Sequence, residues 1–302
     1  MKYILIGTTS LNRSCLHLDC IPEWYDYINK LDKEKYNIKW FINIDYIKNL
    51  EESVDITKQN FTNIVKDIPT IFTLNRHDGN FLNACKNISQ RMNEYVLNNK
   101  LNQDDVIIFW LEDDWKLNPN NIPLQELIEN YMSNLTYINL SFIRRNYIHA
   151  LAPSLINYNL WKDLHFLAWK NQKKAIDPEH CVGKFYLKNF GKYDDILNIT
   201  LINKFKKPKE TFFKSHFLNF ENSYYTYNNT ECNIDINNNK NKFIEKKKII
   251  DFTKNKVTFI RVTTSMCLDG VNYGRNFMKN YNIKKNKNNK DDDFQFYNKN
   301  IF

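Results

Sequence analysis

Val106-Ile107-Ile108-Phe109-Trp110-Leu111 runs without a break into Glu112-Asp113-Asp114-Trp115. The apolar run has the length of a strand covered on both faces, and far less than a membrane span needs. Three consecutive carboxylates at its exit repel one another and are costly to desolvate. A divalent cation relieves both problems. Magnesium and manganese take carboxylate oxygens and share their shell with substrate phosphates. In extended chain Glu112 and Asp114 point one way and Asp113 the other. The competing reading is an acidic strand exit that merely faces water.

Working outward, short apolar runs alternate with amphipathic ones. Tyr3 to Gly7, Ile38 to Ile44, Thr70 to Leu74 and Tyr137 to Ile143 read as strands. Leu16 to Leu31 reads as a helix with Pro22 at its start or at a break, and Leu124 to Met132 as another. Between Phe81 and Leu97 the apolar positions Phe81, Ala84, Cys85, Ile88 and Met92 recur at helical spacing. Such alternation argues for an α/β layer fold with a mostly parallel, Rossmann-like sheet flanked by helices. Ligands of these sheets bind outside the carboxyl ends of the strands. Glu112 to Asp114 stand at such an end.

Beyond residue 150 the alternation weakens. Trp161, Phe166, Leu167 and Trp169 suit core packing or an apolar binding wall. Asp177-Pro178-Glu179 reads as a helix start, with Asp as N-cap and Pro in the first turn. Gly191 is its stop. Residues 228 to 242 read as a polar linker, Lys256 to Val262 as a late strand, and Lys284 to Asp293 as a charged, frayed tail. The expected organisation is a domain over 1–225, in two halves (1–118 and 119–225), and a C-terminal extension over 226–302.

The chain has 302 residues, is 42% hydrophobic and carries a formal charge of +9. A basic balance suits an anionic partner: nucleic acid, membrane head groups or a nucleotide diphosphate. Runs such as Lys246-Lys247-Lys248 also suit a solvated face. Six cysteines without C-x2-C spacing point to reduced thiols in a cytoplasmic protein. The N-terminal apolar run is too short for a signal peptide, and no stretch approaches a transmembrane segment.

On Leu111-Glu112-Asp113-Asp114-Trp115 and the strand order, the chain resembles the GT-A glycosyltransferases, especially family-2-like members. Their acidic D-x-D-type motif also ends a buried strand. The resemblance covers about residues 1–200. It implies a sugar moved from a nucleoside diphosphate donor, read as UDP, to a hydroxyl of a glycan or other acceptor, assisted by manganese or magnesium. Asp114 is then the best metal ligand. Glu112 and Asp113 lie by the ribose or in the outer shell, and Glu112 departs from a strict Asp-x-Asp. Family members hold the nucleotide with the loop after strand one, here Gly7-Thr8-Thr9-Ser10-Leu11-Asn12-Arg13, so Thr8, Thr9 and Arg13 become donor contacts. The same string suits a polar loop with a helix cap at Ser10 or Asn12.

Asp45, ending strand two, can accept from base or ribose, or serve as a turn residue. In Asn75-Arg76-His77-Asp78-Gly79, Arg76 is the basic residue that relatives bring to the donor. Inverting members place their base at a helix N-terminus well after the acidic motif. This makes Glu179 the first choice and Asp177 the second. His216 is a candidate third metal ligand, between phenylalanines that equally suit a packed histidine. Arg275 would close over the diphosphate from a C-terminal loop.

Two other readings compete. A sugar-phosphate nucleotidyltransferase would share the acidic site, but asks for a Gly-rich loop after strand one. A basic nucleic-acid binder would use the charge and the aromatics, yet leaves three buried-edge carboxylates unexplained. P-loop and G-x-G-x-x-G strings are absent.

Overall fold

The computed structural model describes residues 1–47, 52–75, 80–117, 123–132, 138–142, 151, 153–172 and 176–190, and a set of short strands beyond. The chain opens β1 (Lys2–Leu11), α1 (Ser14–Asn29), β2 (Tyr36–Asp45), α2 (Val54–Val65), β3 (Thr70–Asn75), α3 (Phe81–Asn98) and β4 (Val106–Trp110). A short α4 (Leu124–Leu127) passes into a π-turn (Ile128–Met132), then come β5 (Ile138–Ser141) and β6 (Ser154–Asn157). α5 (Tyr158–Trp161), a second π-turn (Lys162–Phe166), α6 (Leu167–Asn171) and α7 (Pro178–Phe190) follow. The later strands are β7 (Leu197–Thr200), β8 (Tyr224–Tyr227), β9 (Thr230–Ile234), β10 (Phe243–Ile244), β11 (Ile249–Asp251), β12 (Lys256–Thr258) and β13 (Ile260–Thr263).

The main sheet runs β3-β2-β1-β4-β6-β5-β13-β7. β1 pairs in parallel with both β2 and β4, and β2 with β3. The chain thus leaves β1 toward one edge, then returns to add β4 on β1's other side. The gap between the carboxyl ends of β1 and β4 is the switch point where α/β sheets bind ligands. The expectation of a mostly parallel sheet is refined at β6, which is antiparallel to both β4 and β5. The expected late strand over Lys256 to Val262 is divided, with Lys256–Thr258 in a hairpin with β11 and Ile260–Thr263 in the main sheet.

Two apolar layers cover the sheet. Ile4 and Ile6 face α1, α2 and α4; there Trp24 packs edge-on against Phe109 and Phe142, and Trp40 against Phe61. Leu5, Ile108 and Trp110 face α3 and the α5–α7 segment. Trp161 and Trp169 are fully buried in this second layer, Trp169 against Trp110 at 5.3 Å, so both are core residues, not a binding wall. Pro22 neither starts nor breaks α1; it lies inside it. It removes one amide to the Leu18 carbonyl, and Leu18 is exposed, where water can replace that donor.

α2 went unread in the sequence. It is capped by Ser53, which accepts from the Ile56 amide at 3.2 Å, as Asn80 caps α3 through the Leu82 amide at 3.0 Å. Gly7 lets α3 approach β1. A Cβ there would meet Met92 Cε at 2.8 Å, Ile88 Cγ2 at 3.0 Å and Trp110 Cε3 at 3.1 Å. Gly7→Ala is expected to destabilise the fold by about 1–3 kcal/mol through overpacking, as read by urea denaturation. A change below about 0.5 kcal/mol would mean that Met92 and its neighbours give way freely.

Candidate functional site at the carboxyl edge of the sheet

β1 does not turn at Gly7. It stays paired with β2 as far as Leu11, opposite Asp45, so the expected nucleotide loop is largely strand. This relocates the threonines. Thr8 is fully buried, and its Oγ1 accepts from Trp40 Nε1 at 2.9 Å; it belongs to the core, a correction to its reading as a donor contact. Thr9 is buried as well. Neither Ser10 nor Asn12 caps α1. Asn12 instead accepts from the Ile47 amide at 2.7 Å and donates to the carbonyls of Ile47 and Glu52. It fastens the segment after β2 across the end of β1.

β4 gains one more ladder bond, from the Leu111 amide to the Gly7 carbonyl, and the chain then turns at Asp113-Asp114. As the alternation predicted, Asp113 points inward while Glu112 and Asp114 are half-buried at the surface. Asp113 Oδ2 accepts from Ser10 Oγ at 2.8 Å and lies 3.4 Å from His17 Nε2, while Oδ1 lies 3.5 Å from the Arg13 guanidinium. Burial alone would raise the Asp113 pKa. Arg13, His17 and the Ser10 hydroxyl outweigh it and hold the carboxyl below its usual range. Ser10 Oγ is also 2.5 Å from His17 Nε2. Serine and carboxylate thus share one ring nitrogen, which is not the in-line order of a nucleophilic triad.

The rest of the turn is fixed to the same helix. Trp24 Nε1 donates to the Trp115 carbonyl at 2.7 Å, and Trp115 Nε1 donates to Glu112 Oε2 at 2.7 Å. Lys116 reaches Asp19 at 3.3 Å and Glu23 at 3.6 Å, partly exposed pairs of small energetic weight. His17 and Trp24 were missed in the sequence. Their spacing from Arg13, at positions 13, 17 and 24, is the helical stripe that could have revealed them.

Asp45 ends β2 with 1% of its surface exposed. Its Oδ1 accepts from Asn43 Nδ2 at 2.7 Å and Asn75 Nδ2 at 2.6 Å. Asn87 of α3 donates to Asn43 and Asn75, and Thr73 to Asn43, completing a partly buried polar layer. Burial pushes the Asp45 pKa up to about 7, against the two asparagine bonds, with Asp113 adding repulsion. Asp45 is therefore no turn residue. It is a carboxyl that gains or loses its proton near neutrality.

At the start of α7, Asp177 Oδ1 accepts from the His180 amide at 2.9 Å, which is the N-cap geometry. Glu179 Oε1 accepts from the Leu151 amide at 2.7 Å. Leu151 lies just before β6, whose Ser154 is level with Trp110 of β4, so Glu179 is tied to the same edge as the acid turn. The buried Cys85 thiol of α3 reports this gathering. Burial first, then the carboxylates of Glu112, Asp45, Asp177 and Glu179, push its pKa well above the usual range. Arg76, His216 and Arg275 lie outside the described residues.

Among the described residues, no three His, Cys, Asp or Glu side chains converge as a ready cation cage. Asp113 is committed to Ser10, His17 and Arg13. A cation here would take oxygens from Asp114 and Glu112 and fill its shell with phosphate and water, a donor set that suits magnesium or manganese. No described helix is long and apolar enough to cross a membrane. No protein-family model matches the chain, and no curated protein matches it.

Because the Asp45 carboxyl titrates higher in the folded protein than in the unfolded chain, its contribution to stability is complete below about pH 4. That contribution is lost as pH rises through about 7. Asp45→Asn should remove a slope of about 1.4 kcal/mol per pH unit across that window, read from urea melts at stepped pH. An unaltered slope would assign the titration to another group.

Proposed function

We propose that the chain is a glycosyltransferase that moves a sugar from a nucleoside diphosphate donor, UDP in our reading, to an acceptor hydroxyl. The observation that carries the reading is the acid turn at the switch point. There Glu112 and Asp114 frame the crevice between β1 and β4, and Asp113 is turned inward to hold the turn in place. Diphosphates are the ligands that a cation on such a turn would recruit. The candidate base Glu179 stands on the same edge, oriented by a backbone amide.

In the proposed reaction the acceptor oxygen bonds to the anomeric carbon while that carbon's bond to the diphosphate oxygen breaks. The electron pair leaves with the diphosphate, and the hydroxyl proton passes to the Glu179 carboxylate. Attack opposite the departing group inverts the sugar. A manganese or magnesium ion, when bound, neutralises the departing diphosphate, and Asp114 and Glu112 would hold it. In this reading the base and ribose would sit toward the end of β2, above the buried Asp45 and the asparagines that bind it. Trp115 keeps Glu112 oriented, and Asp177 fixes the helix end that carries Glu179.

The competing readings fit the crevice less well. A nucleotidyltransferase's phosphate-cradling loop would need amides that β1 spends on pairing with β2 out to Leu11. A nucleic-acid backbone would meet the outward carboxylates Glu112 and Asp114, which repel phosphates unless a cation bridges them.

Asp114→Ala is expected to lower affinity for UDP with manganese at least about 100-fold in calorimetry, with a melting temperature close to wild type. Undiminished binding would remove Asp114 from the cation site. Glu179→Gln is expected to keep donor binding and to lower transfer to a screened acceptor by about 10²–10⁴-fold. If turnover persists, the base lies elsewhere, with Asp177 the next residue to replace.

A further inference from the structure

The main sheet ends at β3, which pairs with β2 on one side and with no strand on the other among the described residues. The Trp40 amide donates to the Pro69 carbonyl at 2.9 Å, and the Tyr46 amide to the Asn75 carbonyl at 2.9 Å. Backbone groups alternate in direction along a strand, so Pro69, Ile71, Thr73 and Asn75 turn their carbonyls toward β2. Thr70, Phe72 and Leu74 therefore turn their amides and carbonyls away from the sheet. Such a row is a template for another strand.

Proteins commonly blunt an open edge with a lysine, a proline, a bulge or an inward charge. Thr70-Ile71-Phe72-Thr73-Leu74-Asn75 carries none of these. The strand is uncharged, and its register with β2 runs residue for residue from Trp40 beside Thr70 to Asp45 beside Asn75. All six residues are half-buried, whereas every residue of the central β4 is buried. Phe72 and Leu74 pack on the layer beneath α1 and α2, Phe72 edge-on to Phe61 at 6.2 Å. Ile71 packs on the layer beneath α3. Both apolar layers thus run out to the open edge and stop there half covered.

We propose that a second copy of this chain continues the sheet, β3 pairing antiparallel with β3 about a twofold axis at Phe72. The edge is self-complementary there. Phe72 faces its own counterpart, and Thr70 faces Leu74 of the copy. Both strands present outward amides and carbonyls at each of these pairs, so each pair exchanges two backbone bonds. An axis normal to the sheet also keeps the faces matched. Phe72 and Leu74 meet on one side, and Ile71 lies beside Thr73 of the copy on the other. Charge selects the same place. A chain with a formal charge of +9 repels its own copy, and an uncharged strand is where two copies can approach. A different protein would need a matching edge of its own; the twofold supplies one from a single sequence. Antiparallel pairing sets the two carboxyl edges facing opposite ways, so each acid turn stays open. None of this depends on the transferase reading.

Sedimentation velocity on the full chain, from about 1 to about 100 μM, is expected to show a monomer–dimer equilibrium, since an edge contact lies at the small end of stable interfaces. Phe72→Lys puts two like charges on the axis and should keep the protein monomeric throughout. Thr70→Pro removes an outward amide that β2 does not use, and should weaken dimerisation at least about tenfold. This second variant decides the matter if Phe72→Lys does not fold. Register is read by crosslinking. Phe72→Cys should form a covalent dimer under mild oxidation and Thr70→Cys should not, because only position 72 meets itself. A wild type monomeric up to about 100 μM would overturn the proposal and leave the edge to a different chain. Dimers that persist in both edge variants would overturn it too, as would crosslinking of Thr70→Cys in preference to Phe72→Cys.

Discussion

A carboxylate taken out of water must find partners, and Asp113 finds them almost entirely on one helix and the strand before it. Ser10, Arg13 and His17 belong to a single stretch of chain, and Trp24, about two turns further on, holds the carbonyl of Trp115. The turn is thus fixed at both its middle and its far end to α1. Loss of one partner would leave a buried charge uncompensated, which costs far more than a surface pair gives. The geometry of Glu112 and Asp114 follows from this anchoring. They face outward because the residue between them faces inward.

Around that anchor the edge of the sheet is polar to an unusual depth. Asn43, Thr73, Asn75 and Asn87 form a layer under Asp45, and the amides of Asn43 and Asn75 bind one oxygen of its carboxyl without lowering its pKa to the common range. Two carboxyls at one edge of the sheet are thereby set apart by environment alone. Asp113, with a guanidinium and an imidazole beside it, stays ionised. Asp45, with only neutral donors, sits near its titration point at neutral pH.

Much of this was legible in the chain, for identifiable reasons. The strand Val106 to Leu111 is apolar because it is covered on both faces, and β1, β2 and β3 announced themselves likewise. The N-cap at Asp177 followed from local chemistry and needed no tertiary information. The reversed direction of β6 was hidden, because Ser154 to Asn157 is short and strand polarity leaves no local signature. Glu52, His17 and Asn12 were hidden as well. Their partners lie 38, 96 and 35 residues away, at Ser14, Asp113 and Ile47, and only the folded chain brings them together. Thr8 and Thr9 were misplaced because β1 continues through polar residues once β2 pairs with its backbone, and Trp40 supplies a partner for the Thr8 hydroxyl.

The reversed strand also changes which connections can be remodelled. In an all-parallel sheet only segments leaving strands reach the ligand edge. With β6 inverted, β5 ends at that edge and β6 begins there, the two ends joined by the Phe142 amide on the Pro153 carbonyl at 2.8 Å. Adding residues between two ends so fixed costs little entropy and leaves the ladder untouched. That junction is the natural cassette for exchange, where new recognition elements can be grafted beside Glu179 without rebuilding the scaffold beneath.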